Sequence, residues 1–368
     1  MLNNVRVGII GTSWWTEVMF LPSLNSHPNA EIVAICGRNR ARGELLAQQY
    51  GIAEVYSDYQ AMIQQAPLDA VVVASPDDLH FPMTMAALEA GLHVLCEKPL
   101  ALTVAHAQQM SNKAEAAGVK HMVLFTWRWQ PHFRYMKQLV DEGFIGRCYH
   151  ANLRFLGGFG LQSEYAWRYD GQRSNGVVSD LGAHMIDFAH WLIGDITKVS
   201  AQLSTLVAHQ SGNDQPLVPT NDAANLILEF GNQAQGLVQL STVAHQGNRL
   251  MEIAVELYGE NGRLEAKQFL EGPEAGAELR GARRDEETIR HLEIPPIFLE
   301  NIDEADLFAP YTKQSAGPRF FIDAILEDRQ PTPTFAAGLK VQKVIDAALR
   351  AHEQGCWVHV DPSAATSS

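Results

Sequence analysis

The residues best suited to chemistry are a glutamate and a lysine at the end of an apolar run. Glu97, Lys98 and Pro99 follow residues 93–96, which are typical of a buried strand. Charged side chains beside a buried strand are costly to place unless they pair or act. Ligands of open α/β sheets bind beyond the carboxyl ends of the strands, where Lys98 is expected. The alternative is an ordinary turn whose charges are hydrated.

A second set of chemical residues lies further along the chain. Asp180 and His184 are four positions apart in a pattern that predicts a helix over residues 180–192. That spacing places both side chains on one helix face. Histidine titrates near neutrality, which suits an acid or base in hydride transfer from an alcohol. The alternative is an exposed pair of minor value for stability. His184, Asp187 and His190 drift around a helix by about 60° per step, so no metal site is expected.

The elements that must position Lys98 are predicted by alternating strand and helix signals over the first 125 residues. Short apolar runs separated by helical segments indicate βαβ units and a parallel, doubly wound sheet. We therefore predict a dinucleotide-binding (Rossmann-type) domain over residues 1–126. The strand-like runs are residues 5–10, 31–36, 55–56, 70–74, 93–96 and 121–125.

The pattern changes after residue 127, where two helices are followed by strand-like runs with short turns. Strands joined by hairpins favour an antiparallel sheet, so we predict an α+β domain over residues 127–368. Residues 271–300 are charged and rich in turn formers, and predict an irregular segment. Helices are predicted at residues 318–326 and 335–353, and the sequence does not decide which domain the last one packs on.

Composition excludes several classes of protein. The formal net charge is −14, so no basic stripe is available to bind a nucleic-acid backbone. No apolar run approaches membrane-spanning length, and the N-terminus has neither the basic region nor the apolar core of a signal peptide. Three of the four cysteines lie in or beside apolar runs and are expected in the core. We expect a soluble, cytoplasmic protein.

The first strand-to-helix turn is the candidate pyrophosphate site. The fingerprint Gly-x-Gly-x-x-Gly would fall on Gly11, Ser13 and Thr16, so only its first glycine is present. The turn still joins a strand to a helix, whose first N–H groups hold phosphate in such sites. The candidate cofactor contacts here are Gly11, Thr12, Ser13 and Trp14.

Two further strand ends supply candidate cofactor contacts. Arg38 follows the second strand, where an acidic residue would hold the ribose 2′-hydroxyl of NAD and an arginine suits the 2′-phosphate of NADP. We therefore expect NADP to be preferred over NAD, with a solvated arginine as the alternative. Ser75 and Pro76 follow the fourth strand, and His80 lies just beyond them as a cofactor contact or a packing residue.

The whole chain resembles the glucose–fructose oxidoreductase, inositol dehydrogenase and rhizopine-catabolism family (Gfo/Idh/MocA). The resemblance rests on four short motifs: Glu97-Lys98-Pro99, Asp180-Leu-Gly-Ala-His184-Met-Ile-Asp187, Ser75-Pro76 with His80, and Gly143-Phe-Ile-Gly146. It implies a dinucleotide-binding domain followed by a domain with a large open sheet, which often forms the oligomer contact. It also implies oxidation or reduction of a hydroxyl or carbonyl on a sugar, cyclitol or related molecule with NAD(P).

The resemblance also implies roles for single residues. Lys98 matches the catalytic lysine of the family, and Asp180 and His184 match its second-domain acid and histidine. Further matches lie near the cofactor. Independently of the resemblance, Arg128 follows the sixth predicted strand and is a candidate for the substrate pocket together with Trp167, with packing between the domains as the alternative. The sequence departs from the family pattern at Ser13 and Thr16, which replace glycines. The matches near the cofactor are Glu97, Pro99, Trp167, Arg168 and Tyr311.

The leading hypothesis is therefore an NAD(P)-dependent oxidoreductase of a polyhydroxylated substrate. His184 is expected as the main acid or base and Lys98 as its electrostatic partner, although the two roles can be exchanged. One alternative is an NAD-dependent glycoside hydrolase that works by transient oxidation and elimination. A more distant alternative is a non-catalytic dinucleotide sensor. A homo-oligomer, dimer or tetramer, is expected through the open sheet.

Overall fold

The computed structural model describes residues 3–211, 217–272, 275–303 and 306–361. The chain divides into two compact units. The first contains Met1–Thr126 and Asn301–Gln342, and the second contains Trp127–Glu300 and Lys343–Ser368. Each unit is built around a sheet of its own.

The first unit contains a parallel sheet, which confirms the predicted Rossmann-type fold. Within the described residues the sheet has six strands in the order β3-β2-β1-β4-β5-β6. The central strands are buried along their whole length, as in β4, because a parallel sheet is covered on both faces. The strands are β1 (Val5–Ile10), β2 (Ala30–Cys36), β3 (Glu54–Tyr56), β4 (Ala70–Val73), β5 (His93–Glu97) and β6 (His121–Leu124).

Helices follow the strands of this sheet, and local sequence signals set their ends. Thr103 caps the last crossover helix by accepting a hydrogen bond from the N–H of His106, and Gly118 ends that helix at a φ of 65°. Helix α1 continues from a π-helical turn at Thr16–Phe20. The helices are α1 (Leu21–Asn25), α2 (Arg40–Tyr50), α3 (Tyr59–Gln65), α4 (Asp77–Glu89) and α5 (Val104–Ala117).

The second unit contains a mostly antiparallel sheet, as predicted. In the part of the chain that the structure describes it has nine strands, in the order β14-β13-β12-β11-β7-β10-β9-β8-β15, and β10 pairs with β7 in parallel. Helices α6 (Pro131–Asp141), α7 (Val177–Asp180) and α8 (Gly182–Leu192) belong to this unit. The strands are β7 (Cys148–Gly157), β8 (Ile196–Ser204), β9 (Ala223–Phe230), β10 (Gln235–Ser241), β11 (Met251–Gly259), β12 (Gly262–Leu270), β13 (Gly276–Arg283), β14 (Arg290–His291) and β15 (Val358–His359).

The segment at residues 301–342 was expected in the second domain, whereas the structure groups it with the first unit. It contains α9 (Ala309–Lys313), α10 (Pro318–Leu326) and the first part of α11 (Phe335–Gln354). Long-range hydrogen bonds hold it there. The hydroxyl of Ser23 donates to the carbonyl oxygen of Tyr311, and His27 Nε2 lies 2.9 Å from Asp323 Oδ1. Helix α11 continues into the second unit from residue 343.

The prediction of an irregular segment at residues 271–300 was wrong in part. Residues 276–283 form β13, which pairs with β12 along its length. Its charged side chains alternate with buried ones such as Leu279, so a half-buried strand had the appearance of a charged loop. Cys36, Cys96 and Cys148 are buried, as expected, and Cys356 is exposed.

Among the described residues, no helix combines the length and the hydropathy needed to cross a membrane.

Candidate active site

The turn after β1 has the backbone of a dinucleotide site. The order of the strands in the parallel sheet reverses between β1 and β4, and such sheets bind their ligands at this point. Gly11 has a φ of 133°, and a Cβ atom there would lie 2.2 Å from the carbonyl oxygen of Ala74. Only glycine fits this position. Glycine is also needed at Gly37 after β2, where a Cβ atom would lie 2.5 Å from the side chain of Thr12.

The two missing fingerprint glycines are replaced by residues that support the same turn. Ser13 Oγ accepts a hydrogen bond of 3.3 Å from the backbone N–H of Thr16, and Thr16 is buried. Ser13 and Trp14 are exposed, so the edge of the turn is open to a ligand. The glycine geometry, the switch point and the exposed serine fit a dinucleotide, and the pyrophosphate would lie against this turn.

The candidate contacts at the next strand ends have the expected positions. Arg38 is exposed just after β2, and Asn39 caps α2 by accepting a hydrogen bond of 3.0 Å from the N–H of Arg42. Ser75 and Pro76 are half-buried between β4 and α4. An exposed guanidinium at the carboxyl end of β2 is suitably placed for a ribose 2′-phosphate.

Glu97 and Lys98 lie at the carboxyl end of β5, as the apolar run predicts. Glu97 is buried. Its Oε1 accepts a hydrogen bond of 2.6 Å from the indole N–H of Trp15, and its Oε2 accepts one of 3.1 Å from the backbone N–H of Lys98. Burial raises the pKa of Glu97, whereas Lys98, Trp15 and His80 oppose that rise. Lys98 is half-buried.

Two predicted cofactor contacts have buried side chains. His80 has no exposed surface, and its two ring nitrogens lie against backbone carbonyl oxygens of Ser75 and Pro99. The hydroxyl of Tyr311 donates a hydrogen bond of 2.6 Å to the carbonyl oxygen of Thr126, and only 1% of Tyr311 is exposed. Both residues therefore support the first unit from inside, which differs from the predicted direct contact with the cofactor.

Asp180 and His184 lie on two consecutive helices rather than on the single predicted one. Asp180 is the last residue of α7, and α8 begins at Gly182. The N–H of His184 bonds to the carbonyl oxygen of Leu181, three residues back, so the α-helical ladder is interrupted. A Cβ atom on Gly182 would lie 2.9 Å from Leu240 Cδ1, so close packing on the sheet accompanies the break.

The start of α7 is fixed by a neighbouring loop. Gly176 has a φ of 72°, and Asn221 bonds to the next two residues. Its carbonyl oxygen accepts from the N–H of Val177 at 2.9 Å, and its Oδ1 accepts from the N–H of Val178 at 3.1 Å. These two hydrogen bonds thus fix the start of α7, the four-residue helix that ends at Asp180.

Asp180 pairs with an arginine that the sequence assigned to the same site. Arg168 Nε lies 3.1 Å from Asp180 Oδ2. The guanidinium carbon of Arg168 lies 5.2 Å from the ring centroid of Trp167 and 6.0 Å from that of Phe159. The pair is partly exposed, so the carboxyl group of Asp180 lies beside a cation that in turn faces two aromatic rings.

His184 is buried among aromatic rings. Its ring centroid lies 6.3 Å from that of Trp127 and 6.0 Å from that of Phe155. One turn further along α8, Asp187 Oδ1 lies 3.2 Å from Arg128 Nη1, and the guanidinium of Arg128 lies 4.5 Å from the centroid of Trp191. Arg128, predicted to bind substrate, is therefore a half-buried partner of the helix that carries His184.

Burial dominates the electrostatics of this pair. It raises the pKa of Asp187 to about 6, although the charge of Arg128 acts in the opposite direction. Burial also lowers the pKa of Arg128. Both directions have the same main cause, which is removal of the charged groups from water.

Sequence reasoning missed three structural partners of the site residues: Trp15, Asp187 and Asn221. No pattern in the sequence singled out Trp15. The available signal was a buried glutamate that needs donors, but nothing in the spacing pointed to a partner 82 residues earlier.

Comparison with known proteins places these features in one family. Residues 5–125 match the oxidoreductase family with an NAD-binding Rossmann fold, and residues 133–265 match the GFO/IDH/MocA C-terminal domain. The levoglucosan dehydrogenase of Pseudarthrobacter phenanthrenivorans is 27% identical over 98% of this chain and 99% of its own. The NADP(+)-dependent scyllo-inositol 2-dehydrogenase IolW of Bacillus subtilis is 25% identical over 96% of this chain and 95% of its own.

Solved structures agree with the sequence matches. A levoglucosan dehydrogenase in complex with NADH and levoglucosan superposes with a TM-score of 0.85 at 25% identity. The superposition covers 97% of this chain and 99% of that chain.

Proposed function

The chain belongs to the Gfo/Idh/MocA family of oxidoreductases, and we propose that it transfers a hydride between a nicotinamide dinucleotide and a hydroxyl or carbonyl group of a sugar, cyclitol or related polyol. The observation that carries the proposal is Lys98, held just beyond the carboxyl end of β5 in a sheet of dinucleotide-binding order. The named relatives are dehydrogenases of a sugar derivative and of an inositol.

The proposed chemistry is carried by three residues. Oxidation of a secondary alcohol requires the hydroxyl proton to leave as the hydride is transferred, and His184 is proposed to take that proton. The ammonium of Lys98 stabilises the developing alkoxide and orients the substrate oxygen. Asp180, paired with Arg168, binds a neighbouring hydroxyl of the substrate. The nicotinamide ring, when bound, supplies the hydride acceptor or donor.

The test of the overall function is a spectrophotometric screen for nicotinamide reduction. Sugars, cyclitols and sugar acids are supplied with NAD and NADP in parallel, and the reverse reaction uses the matching carbonyl compounds with NADH and NADPH. We expect turnover with at least one polyol. Release of a glycoside leaving group without net cofactor turnover, from protein that retains its cofactor, would instead support the hydrolase.

The role of Lys98 is tested by Lys98→Met. Turnover should fall at least about a hundredfold, the usual scale for an acid, base or charge-stabilising group. Lys113→Met, which alters a half-buried lysine of α5, is the matched control and should keep wild-type turnover. Near-normal turnover of Lys98→Met with intact cofactor binding would contradict the assignment.

A double variant tests whether Lys98 and His184 serve one reaction. When two residues act on the same step, the double variant loses much less turnover than the product of the losses of the two single variants. Lys98→Met with His184→Gln should therefore be little slower than the worse single variant. The pH profiles of the two single variants separate the roles. The variant that lacks the proton-transfer group should also lack the change of rate with pH that titration of this group causes in the wild type.

The proposed cofactor preference is for NADP over NAD. Its support is the exposed Arg38 at the carboxyl end of β2 and the NADP(+) dependence in the name of one relative. Arg38→Ala should lower kcat/KM with NADP more than with NAD, because the 2′-phosphate loses its cation. A clear NAD preference that Arg38→Ala leaves unaltered would refute this part of the proposal.

We also propose a homo-oligomer formed through the open face of the second sheet. Ile227 and Leu237 support it: they are direct cross-strand partners in β9 and β10, and they are 45% and 54% exposed. Ile227→Lys with Leu237→Lys should reduce the mass measured by sedimentation. Leu206→Lys, at a 67% exposed leucine outside the strands, is the control.

The proposed location is the cytoplasm. Fractionation of cells that express the chain tests it, and recovery of the protein in a membrane or extracellular fraction would contradict it.

A further inference from the structure

His80 is a buried histidine to which the proposed chemistry assigns no role. It lies in the first turn of α4 and has no exposed surface. Its Nδ1 is 2.7 Å from the carbonyl oxygen of Pro99, and its Nε2 is 2.8 Å from the carbonyl oxygen of Ser75. Both distances are those of hydrogen bonds.

These two contacts determine the protonation of the ring. Carbonyl oxygens accept hydrogen bonds and never donate them, and a neutral imidazole has only one N–H. A neutral His80 would hold a nitrogen lone pair against a carbonyl oxygen in the interior, which repels and leaves a buried acceptor unsatisfied. An imidazolium donates from both nitrogens and satisfies both carbonyl groups.

The charged groups around His80 can balance such a cation. The acidic groups are Glu97, which interacts with His80 from β5, and Asp77 and Asp78, with which α4 begins; Lys98 is a further cation after Glu97, and the Cys96 side chain also interacts with His80. Burial lowers the pKa of His80, but Cys96 and the carbonyl groups of Pro99 and Ser75 outweigh it and raise the pKa to about 9. The electrostatics thus agree with the geometry.

The bonds of His80 and Glu97 restrain the backbone on both sides of Lys98. The N–H of Lys98 donates to Glu97 Oε2, and the carbonyl oxygen of the next residue, Pro99, accepts from His80. The other nitrogen of His80 fixes Ser75, in the turn after β4. We propose that His80 is an imidazolium at neutral pH that fastens the two turns together and acts as a positioning residue for Lys98. The catalytic part of this inference rests on the proposed function of Lys98.

Nitrogen-15 NMR of histidine-labelled protein tests the charge without reference to activity. At pH 7.5 we expect the His80 ring to have both nitrogens protonated, and its signals are assigned by their absence in His80→Gln. It should titrate only near pH 9. His121 is the internal contrast, because its Nδ1 accepts from the N–H of Phe335 and burial lowers its pKa to about 4. A His80 ring with a single N–H at pH 7.5 would overturn the inference.

Kinetics test the positioning role. In the wild-type background, His80→Gln should lower kcat about ten- to a hundredfold, the loss expected from a small displacement of a catalytic group. In the Lys98→Met background it should add almost nothing. His121→Gln, which also alters a buried histidine of the first unit, should leave the turnover of each background unchanged.

The outcomes separate the two proposals. Equal effects of His80→Gln in both backgrounds would reduce His80 to a general structural residue and refute its positioning role. Near-normal turnover of Lys98→Met would refute the proposed role of Lys98, while the NMR result would still decide the charge of His80.

Discussion

Removal of Arg128 should destabilise the second unit and should do so more at neutral pH than at acid pH. Arg128 and Asp187 are 3.2 Å apart, and their side chains are only 13% and 6% exposed. Arg128→Met keeps the bulk of the side chain near Trp191 but leaves a carboxylate without its cation in a buried position. Breaking a buried pair in this way costs about 3–5 kcal/mol.

The pH dependence follows from the pKa of Asp187. The rise from the ordinary 3.8 to about 6 corresponds to about 3 kcal/mol of stability that the native carboxylate gives up at neutral pH. Because the folded state binds the proton more tightly than the unfolded state, stability falls as the pH rises from 3.8 to 6. In Arg128→Met the pKa of Asp187 in the folded state rises further, so stability continues to fall up to a higher pH than in the wild type.

Urea unfolding at pH 5 and pH 7.5, followed by circular dichroism, measures the effect. We expect Arg128→Met to lose about 3 kcal/mol at pH 7.5 and much less at pH 5, where Asp187 is largely protonated. Asp187→Asn should abolish the extra pH dependence. Equal losses at the two pH values would show that Arg128 stabilises through packing on Trp191 and not through its charge.

Three further predictions concern the first unit. His80 should contribute about 3 kcal/mol of stability below its unfolded pKa of about 6.5, and this contribution should be lost as the pH rises through about 9; urea unfolding of wild type and His80→Gln checks it. Trp15→Phe removes a donor from Glu97 and should cost about 1–3 kcal/mol, more at pH 8 than at pH 5 because the pKa of Glu97 rises further. Gly11→Ala should abolish cofactor binding in calorimetry, whereas Gly51→Ala, at a φ of 69° with open space around it, should lower only the stability.

The fold of the first unit could be predicted because its signals are local. An apolar, β-branched run such as residues 70–73 and a helix stop such as Gly118 act within a few residues. The assignment of residues 301–342 depended instead on contacts between distant parts of the chain. Ser23 and Tyr311 are separated by 288 positions, and no periodicity in the sequence reports such a pair.

The charged strands of the second unit show a different limit of prediction from the sequence. Charge indicated irregular structure at residues 276–283, yet Glu278 and Arg280 alternate with a buried leucine and lie 3.5 Å apart on one face of β13. On the neighbouring strands, Arg263 lies 2.9 Å from Glu265 and 3.7 Å from Glu256. The pair between Arg263 and Glu256 joins β12 to β11, and a pair of this kind, which stabilises charged residues on one face of a sheet, becomes visible only when the register is known.

The candidate site could be predicted from the sequence only where its residues lie at the ends of strands. The positions of Gly11, Arg38 and Lys98 follow from strand ends, which the pattern locates well. The bonds of Glu97 and His80 do not, because their partners depend on which turns the sheet order brings together. The break between α7 and α8 also escaped the pattern, since residues 180–192 have a helical period throughout.

Lys98 and His184, which are both proposed to act on the substrate oxygen, lie beside buried charge. Lys98 follows Glu97, whose charge His80 partly balances, and His184 is three residues from Asp187, which Arg128 holds. Apolar residues of similar size in place of a buried pair are often neutral for stability or stabilise by about 1–4 kcal/mol. Arg128→Met with Asp187→Leu should therefore be at least as stable as the wild type. If the pair serves to hold α8 in register for His184, the same variant should lose turnover, whereas a stable and fully active variant would show that the buried charge has no part in the reaction.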